Sequence, residues 1–331
     1  MQYMIRYLFF FCLIGVAQLP GSEAFAQKTT TAHKTAGAQK GATQGGTFTF
    51  PSEDRAELLK KEDSLVILGR KLVNEEDVSS RFQADSQFTR TLVRALKVPN
   101  SFRYPFDSLE TVSHIYAPDS SFRIYTWQVT VDENNYRRHG AIQMRTPDGS
   151  LKLFGLIDRS SVINHPMDTV TSNEYWIGNI YYKIVEKKFK GKNFYTLLGY
   201  DEYSFSSTRK WIEVLTFDTA GKPVFGGPYF SFTPGDTAVP HGSISRFMLE
   251  FKKDGNARVQ YDPDLDLILY DHLVSESNEP AKTSTLIPDG DYEGFRWANG
   301  KWVHINKVFT QKLQEGQAPV PTPLTKEPSG H

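Results

Sequence analysis

The stretch FRIYTWQVTVDENNYRRHGAIQMRTPDGSLKLFGLI, residues 122–157, decides the fold class. Three runs rich in β-branched and aromatic residues, 122–131, 136–146 and 151–157, are interrupted by Asn134-Asn135 and Asp148-Gly149. Asn, Asp and Gly tolerate the left-handed backbone of tight turns, so the pattern reads as strand, turn, strand, turn, strand. Working toward the C-terminus, the same texture continues. Runs at 176–189 and 194–203 flank Gly191, 211–217 is followed by a turn at 218–222, and Val224-Phe225 lies beyond. Runs at 247–251 and 258–261 bracket Asp254-Gly255-Asn256, 265–270 follows, and 292–297 and 301–305 bracket Asn299-Gly300. About 12–14 strands are expected, mainly antiparallel, as a meander. A propeller of four-stranded blades would need more strands than that, and no internal repeat is visible, so a barrel-like or packed-sheet arrangement is expected.

Toward the N-terminus the periodicity changes. In residues 52–73, Leu58, Leu65, Leu68 and Leu72 fall on one face, with Ser52 to cap and Glu53 and Asp54 at the positive dipole end. Phe88, Leu92 and Leu96 repeat in 86–97, with Asp85 or Ser86 as the expected cap and Pro99 as the stop. Two short one-sided helices are therefore expected ahead of the sheets.

Before them, Arg6 precedes an apolar run from Tyr7 to Ala17, broken by Pro20-Gly21 and followed by Ala24-Phe25-Ala26. This is the layout of a secretory signal peptide with cleavage after Ala26, and the run of about 11 residues is far short of the ~20 that span a bilayer. Cys12 is the single cysteine. It follows three phenylalanines rather than small residues, which does not suit lipid attachment, and it leaves with the leader. The mature chain is then cysteine-free, with neither disulfide nor thiolate chemistry. Residues 27–46 are polar and aperiodic and are expected to be disordered, as is the Pro-rich tail 311–331. The resulting layout is signal peptide 1–26, leader 27–46, helical segment 47–99, β-domain 100–310 and tail 311–331.

The chain carries 38 basic and 38 acidic residues. No basic surplus exists to neutralise phosphates, so nucleic acid is not expected as a partner. The cluster Lys187-Lys188, Lys190 and Lys192 surrounds the turn at Gly191 and reads as a solvated hairpin tip. After signal removal no further apolar run is long enough to span a membrane as a helix.

Motifs with known chemistry are missing from the sequence: it has neither G-x-S-x-G nor H-E-x-x-H, neither a Walker loop nor G-x-G-x-x-G, and no cofactor is implied. His241-Gly242-Ser243 sits in a Pro/Gly loop without the strand–turn–helix a nucleophile needs. Asp262, Asp264 and Asp266 alternate like calcium-loop ligands, but Leu267 and Leu273 stand where that loop needs glycine and glutamate, so an acidic turn is preferred. Tyr175-Trp176, Tyr181-Tyr182 and the aromatics of 295–302 could stack a flat ligand or could fill a core. Asp271-His272 closes one run, Asp291 precedes another and Asp201 ends a third, on a stretch that places Asp201 and Tyr203 on one strand face.

The segments SFRYPFDSL (101–109), FRIYTW (122–127), GAIQ (140–143), YTLLGYD (195–201), KWIEVLTFD (210–218), GKPVFGGPYF (221–230), YDPDLDLILYDHL (261–273) and PDGDYEGFRWANGKW (288–302) have a familiar order and spacing. Over roughly 85–305 the chain resembles a family of uncharacterised exported bacterial proteins. That resemblance implies a mostly β, exported, single-domain protein and supplies no functional residues.

Two functional expectations follow. One is a non-catalytic exported module that binds a ligand or a cell-envelope partner. The other is a carboxylate-based hydrolase, which requires two carboxylates converging in one cleft with a perturbed pKa. Chain economy places any site around Asp201, Asp271, His272, Asp291, Arg296 and Trp297, at strand ends rich in glycine. Hairpin turns and edge charges account for the same residues without a site. N-terminal analysis of exported protein is expected to find Gln27 first; a retained Met1 or a lipid on Cys12 would refute the leader reading.

Overall fold

A computed structural model describes residues 49–232 and 244–309. The expected leader, tail and signal peptide, and His241-Gly242-Ser243, lie outside the described residues. Helix α1 (Ser52–Asn74) begins at Ser52 itself, with Pro51 rather than Ser52 in the capping position. Proline suits a helix start because its φ is already near helical and it has no N–H to satisfy. Leu58, Leu65 and Leu72 are buried as the spacing predicts. Helix α2 (Val78–Leu96) starts well before Ser86, because Asp77 accepts the Ser80 N–H at 2.7 Å and caps it. Asp85 is therefore not a cap. It is buried inside the helix and accepts the Trp127 indole N–H at 2.9 Å.

Fifteen strands follow among the described residues, in three sheets. β1 (Ser113–Tyr116), β2 (Phe122–Thr130), β3 (Tyr136–Met144) and β4 (Lys152–Ile157) form an antiparallel meander, the first sheet. The middle sheet takes β5 (Thr171–Ser172), β6 (Ile180–Phe189), β7 (Lys192–Asp201), β8 (Ser207–Phe217) and β9 (Pro223–Phe225) in the order β5-β9-β8-β7-β6. The third takes β10 (Phe230–Ser231), β12 (Val259–Asp262), β13 (Leu267–Ser275), β14 (Leu286–Ala298) and β15 (Lys301–Ile305) in the order β10-β15-β14-β13-β12. β11 (Arg246–Lys252) pairs with β8 in the middle sheet. The described strands form packed sheets with no closed barrel.

Alternation within single strands sets the layering. On β2, Tyr125, Trp127 and Val129 pack with the helices, while Phe122 and Ile124 pack with Tyr195, Leu197 and Leu215 of the middle sheet. On β7, Phe194 and Leu198 face the other way, into a core shared with Ile268, Phe295 and Trp302 of the third sheet. The order of layers is helices, first sheet, middle sheet, third sheet. β2 and β7 are buried on both faces, which is why they read as near-continuous apolar runs. Most of the expected aromatic platform belongs to these cores: Trp176, Tyr181, Phe295 and Trp302 are fully buried, while Tyr175 and Tyr182 are exposed.

Two expected hairpins close as their residues require. Lys190 and Gly191 (φ 48° and 75°) join β6 to β7, and Asn299 and Gly300 (φ 52° and 81°) join β14 to β15. Asp254-Gly255-Asn256 does not close a hairpin. β11 belongs to the middle sheet and β12 to the third, so this turn carries the chain between layers. β10 and β15 run parallel, a departure from the all-antiparallel expectation. The Asp262 carboxylate accepts the N–H groups of Asp264 and Leu265 at 2.9 and 3.0 Å, the acidic turn preferred above.

The first and middle sheets also enclose charge. Arg246 and Glu213 face each other across β11 and β8, both fully buried, with Nε donating to the carboxylate at 3.0 Å. Glu213 also accepts from the Tyr181 hydroxyl, which takes the Trp176 indole N–H at 2.8 Å. The rest of the guanidinium donates to the carbonyls of Pro166, Thr169 and Phe225 and to the Thr171 hydroxyl. Removing one member of such a pair strands the other in an apolar layer. Arg246→Met or Glu213→Leu alone should each cost about 3–5 kcal/mol in urea unfolding, and the double variant less than the sum. Additive losses would refute the coupling.

Candidate functional site

Beyond the Arg246–Glu213 pair, polar residues on β3, β7 and β8 line a cleft between the first and middle sheets. Arg138 of β3 donates from Nη2 to Asp201 at the end of β7, and its Nη1 lies 3.8 Å from Asp158 Oδ2. Asp158 follows β4 and is held by the Ser160 N–H and hydroxyl at 2.9 and 2.6 Å. Gly178 makes this junction possible. A Cβ there would sit 2.6 Å from both Arg138 Cδ and Asp158 Oδ2.

The β7–β8 register sets the opposite wall, with Arg209 across from Asp201 and Trp211 across from Gly199. Arg209 donates from Nε to Glu250 at 2.8 Å, and its guanidinium carbon stacks 3.1 Å above the Tyr203 ring. Glu250 is fixed in turn by the Ser207 and Thr283 hydroxyls, each at 2.8 Å. Among the described residues the two terminal nitrogens of Arg209 make no hydrogen bond.

Arg138, Asp158, Ser160, Asp201, Tyr203, Arg209 and Trp211, with Asn134, Asn135, Tyr136, Ser161 and Ile163, line a cavity of about 590 Å³, a volume that suits a small-molecule ligand. Tyr203 and Phe205 at its rim are 42% and 65% exposed, and the Phe205 N–H reaches Asn134 Oδ1 at 3.2 Å. Just behind the inner wall, two donors closed off from solvent have no partner among the described residues: the indole N–H of Trp211, a residue 1% exposed, and Nε of Arg138. A buried donor left unmade costs about 1–3 kcal/mol, a cost that a small shift of the wall toward water or a ligand oxygen would relieve.

Burial pushes the Asp201 carboxyl up to about 6, aided by the charges of Asp158 and Glu202 and opposed by Arg138 and Arg209. The fold thus favours the protonated acid relative to the unfolded chain. Stability from this group is fully present below about pH 4 and is lost as pH rises through about 6. Against Asp201→Asn, which cannot titrate, the wild type should gain on the order of 1–3 kcal/mol as pH falls from 7 to 4. Parallel stability curves for the two proteins across that interval would refute the assignment.

Of the residues expected at a site, Asp201 alone lines this cleft. Asp271 and His272 line a separate pocket of about 390 Å³ with Tyr270, Glu250 and Glu293. There Asp271 accepts the Arg258 N–H at 2.8 Å, and His272 Nδ1 lies 2.8 Å from Asp289. Asp291 is exposed and paired with Lys307 at 2.9 Å. Arg296 stands opposite Leu267, four residues along β13 from Asp271, about 13 Å. Trp297 faces the opposite side of the sheet and packs on Phe194 and Trp302 at 5.5 and 5.2 Å. The six residues do not form one site. The two pockets share no lining residue, though the Arg209–Glu250 contact joins their walls.

Arg138, Asp158, Arg209 and Trp211 were not indicated by the sequence pattern. Tyr203 pointed toward them, but not as expected: β7 ends at Asp201, so Tyr203 reaches the cleft from the β7–β8 connection rather than from a shared strand face. Among the described residues no cluster of three or more His, Cys, Asp or Glu could hold a metal ion, and no helix is long and apolar enough to cross a membrane. In comparison with protein-family models, curated proteins and solved structures, the chain has no match.

Proposed function

We propose that the protein is an exported binding module whose ligand occupies the cleft between the first and middle sheets. The export half of this reading rests on the leader-like pattern of residues 1–26 and on the sequence resemblance. The binding half rests on one observation: Arg138, Asp158, Asp201, Arg209 and Trp211 gather around one roomy cleft, and the two terminal nitrogens of Arg209 have no protein partner among the described residues. A site prepared for ligand oxygen has this form.

The hydrolase reading draws on a different observation. Asp158 and Asp201 converge on one guanidinium in one cleft, and Asp201 is raised to about 6. Binding is the better account because Arg138 contacts both carboxylates, and the Ser160 N–H and hydroxyl engage Asp158 as well. Their charge is answered by protein, whereas a catalytic pair presents its oxygens to a scissile bond.

Thermal-shift screening of small polar compounds tests the proposal, run on the wild type, Trp211→Phe and Gly178→Ala. A true ligand at a hundred times its Kd should stabilise the wild type by about 2.7 kcal/mol. Trp211→Phe should weaken it several-fold, and Gly178→Ala should abolish it by displacing Arg138 or Asp158. Stabilisation that is equal in all three proteins would place binding elsewhere. Turnover of a polymer substrate that disappears in Asp201→Asn would favour the hydrolase.

A further inference from the structure

We infer that the cleft takes a ligand with a single carboxylate on a ring or apolar body, the carboxylate seated on Arg209 and the body against the rim aromatics. This deepens the binding proposal and rests on it.

The inference begins with Arg209. Its guanidinium is immobilised twice, by Nε donation to Glu250 and by the face of Tyr203. Both anchors leave the two terminal nitrogens unused among the described residues. A planar fork with two spare N–H groups is the geometry that grips a carboxylate or phosphate with parallel hydrogen bonds. Glu250 does not consume that capacity: its Oε2 takes only the Nε bond, and its Oε1 accepts from Ser207 and Thr283.

Next come the other donors. Trp211 stands two residues from Arg209 on the same face of β8 and lines the same cavity, with its N–H unpartnered. An indole N–H can only donate, so its partner must be an acceptor. Arg209 and Trp211 therefore share one wall, and a small shift there would bring the indole N–H to an oxygen of a ligand held by Arg209.

Charge then separates carboxylate from phosphate. Asp158 and Asp201 line the same cavity. Arg138 answers much of their charge, but a dianion would still be brought close to two acidic groups. A monoanion takes up the fork on Arg209 with half that repulsion. The rim supplies the rest of the specificity. Tyr203 and Ile163 line the cavity, and Phe205, exposed, bonds through its backbone N–H to the lining residue Asn134. Exposed rings next to a polar interior suit a ligand whose charged end goes in and whose flat or apolar part lies across the mouth.

The test uses the full-length mature protein labelled with nitrogen-15. The Trp211 indole signal, identified by its loss in Trp211→Phe, is followed during titration with sodium glucuronate, sodium benzoate, glucose, benzamide and inorganic phosphate. Glucuronate or benzoate is expected to move that signal saturably, with glucose and benzamide binding at least ~10-fold more weakly. Arg209→Gln should lose that preference. Arg209→Lys, which keeps the charge but not the fork, should lose most of it while preserving the remaining spectrum. Neutral compounds that bind as tightly as their acids overturn the carboxylate class and leave the cleft as a binding site. Phosphate binding as tightly as the acids overturns the preference for a monoanion. If none of the five moves the Trp211 signal, the carboxylate inference falls; the thermal-shift screen then decides whether the cleft binds anything else.

Discussion

The Arg246–Glu213 pair is the interaction on which the arrangement of the middle layer turns. Both side chains lie in an interface otherwise built of Phe122, Ile124, Leu197 and Leu215, where an isolated charge would be intolerable. The pair is tolerated because every neighbour is recruited to it. Tyr181 and Trp176 extend it on the carboxylate side, and the loop carbonyls of Pro166 and Thr169 with that of Phe225 at the end of β9 close it on the guanidinium side. The same contacts fix β11 onto β8 and hold the 166–171 connection against the sheet. A purely apolar pair could fill the space but could not hold the carbonyls of Pro166, Thr169 and Phe225.

The cleft is the continuation of that interface toward the ends of its strands. Along β8 the inward-facing residues run Leu215, Glu213, Trp211, Arg209, from dry core to paired charge to cleft wall. β3 and β7 follow the same gradient, from Ile142 and Leu197 to Arg138 and Asp201. Glycines accompany the change: Gly140 has no room for a Cβ against Leu156 and the Tyr125 carbonyl, and Gly199 none against Tyr181. Where the two layers no longer meet through apolar side chains, arginine–carboxylate contacts keep them in register.

The fold was legible in the sequence to the extent that it is local. Turn residues with positive φ, such as Asn299-Gly300, and the leucine spacing of α1 carry their meaning within a few positions. The errors came where partners are remote. The start of α2 was misread because Asp85 resembles a cap, whereas its carboxylate serves Trp127, 42 residues away. Asp254-Gly255-Asn256 has hairpin chemistry, yet the strands on either side find partners in different sheets. The site was harder still. Asp201 was singled out for its place at a strand end, but Arg138 is 63 residues from it, and only the stacking of two sheets brings them together. Asp271, Asp291 and Arg296 shared the same local signals and were separated by strand face and by position along the strand.

β8 has consequences beyond the folded state. One of its edges is covered by β7, and the other is divided between β9 near its C-terminal end and β11 along the rest. The first sheet contains only sequential hairpins and is complete once residue 157 has been made. The middle sheet must wait until residue 252, with Glu213 buried by an arginine that arrives 33 residues later. During synthesis the chain therefore passes through a stage in which half an edge of β8 is open and its carboxylate is unanswered. Long-range closure of this kind slows folding and prolongs the life of partly folded species. The proposed export would turn that delay to use, since the strand pairing that closes the middle sheet is among the last to form.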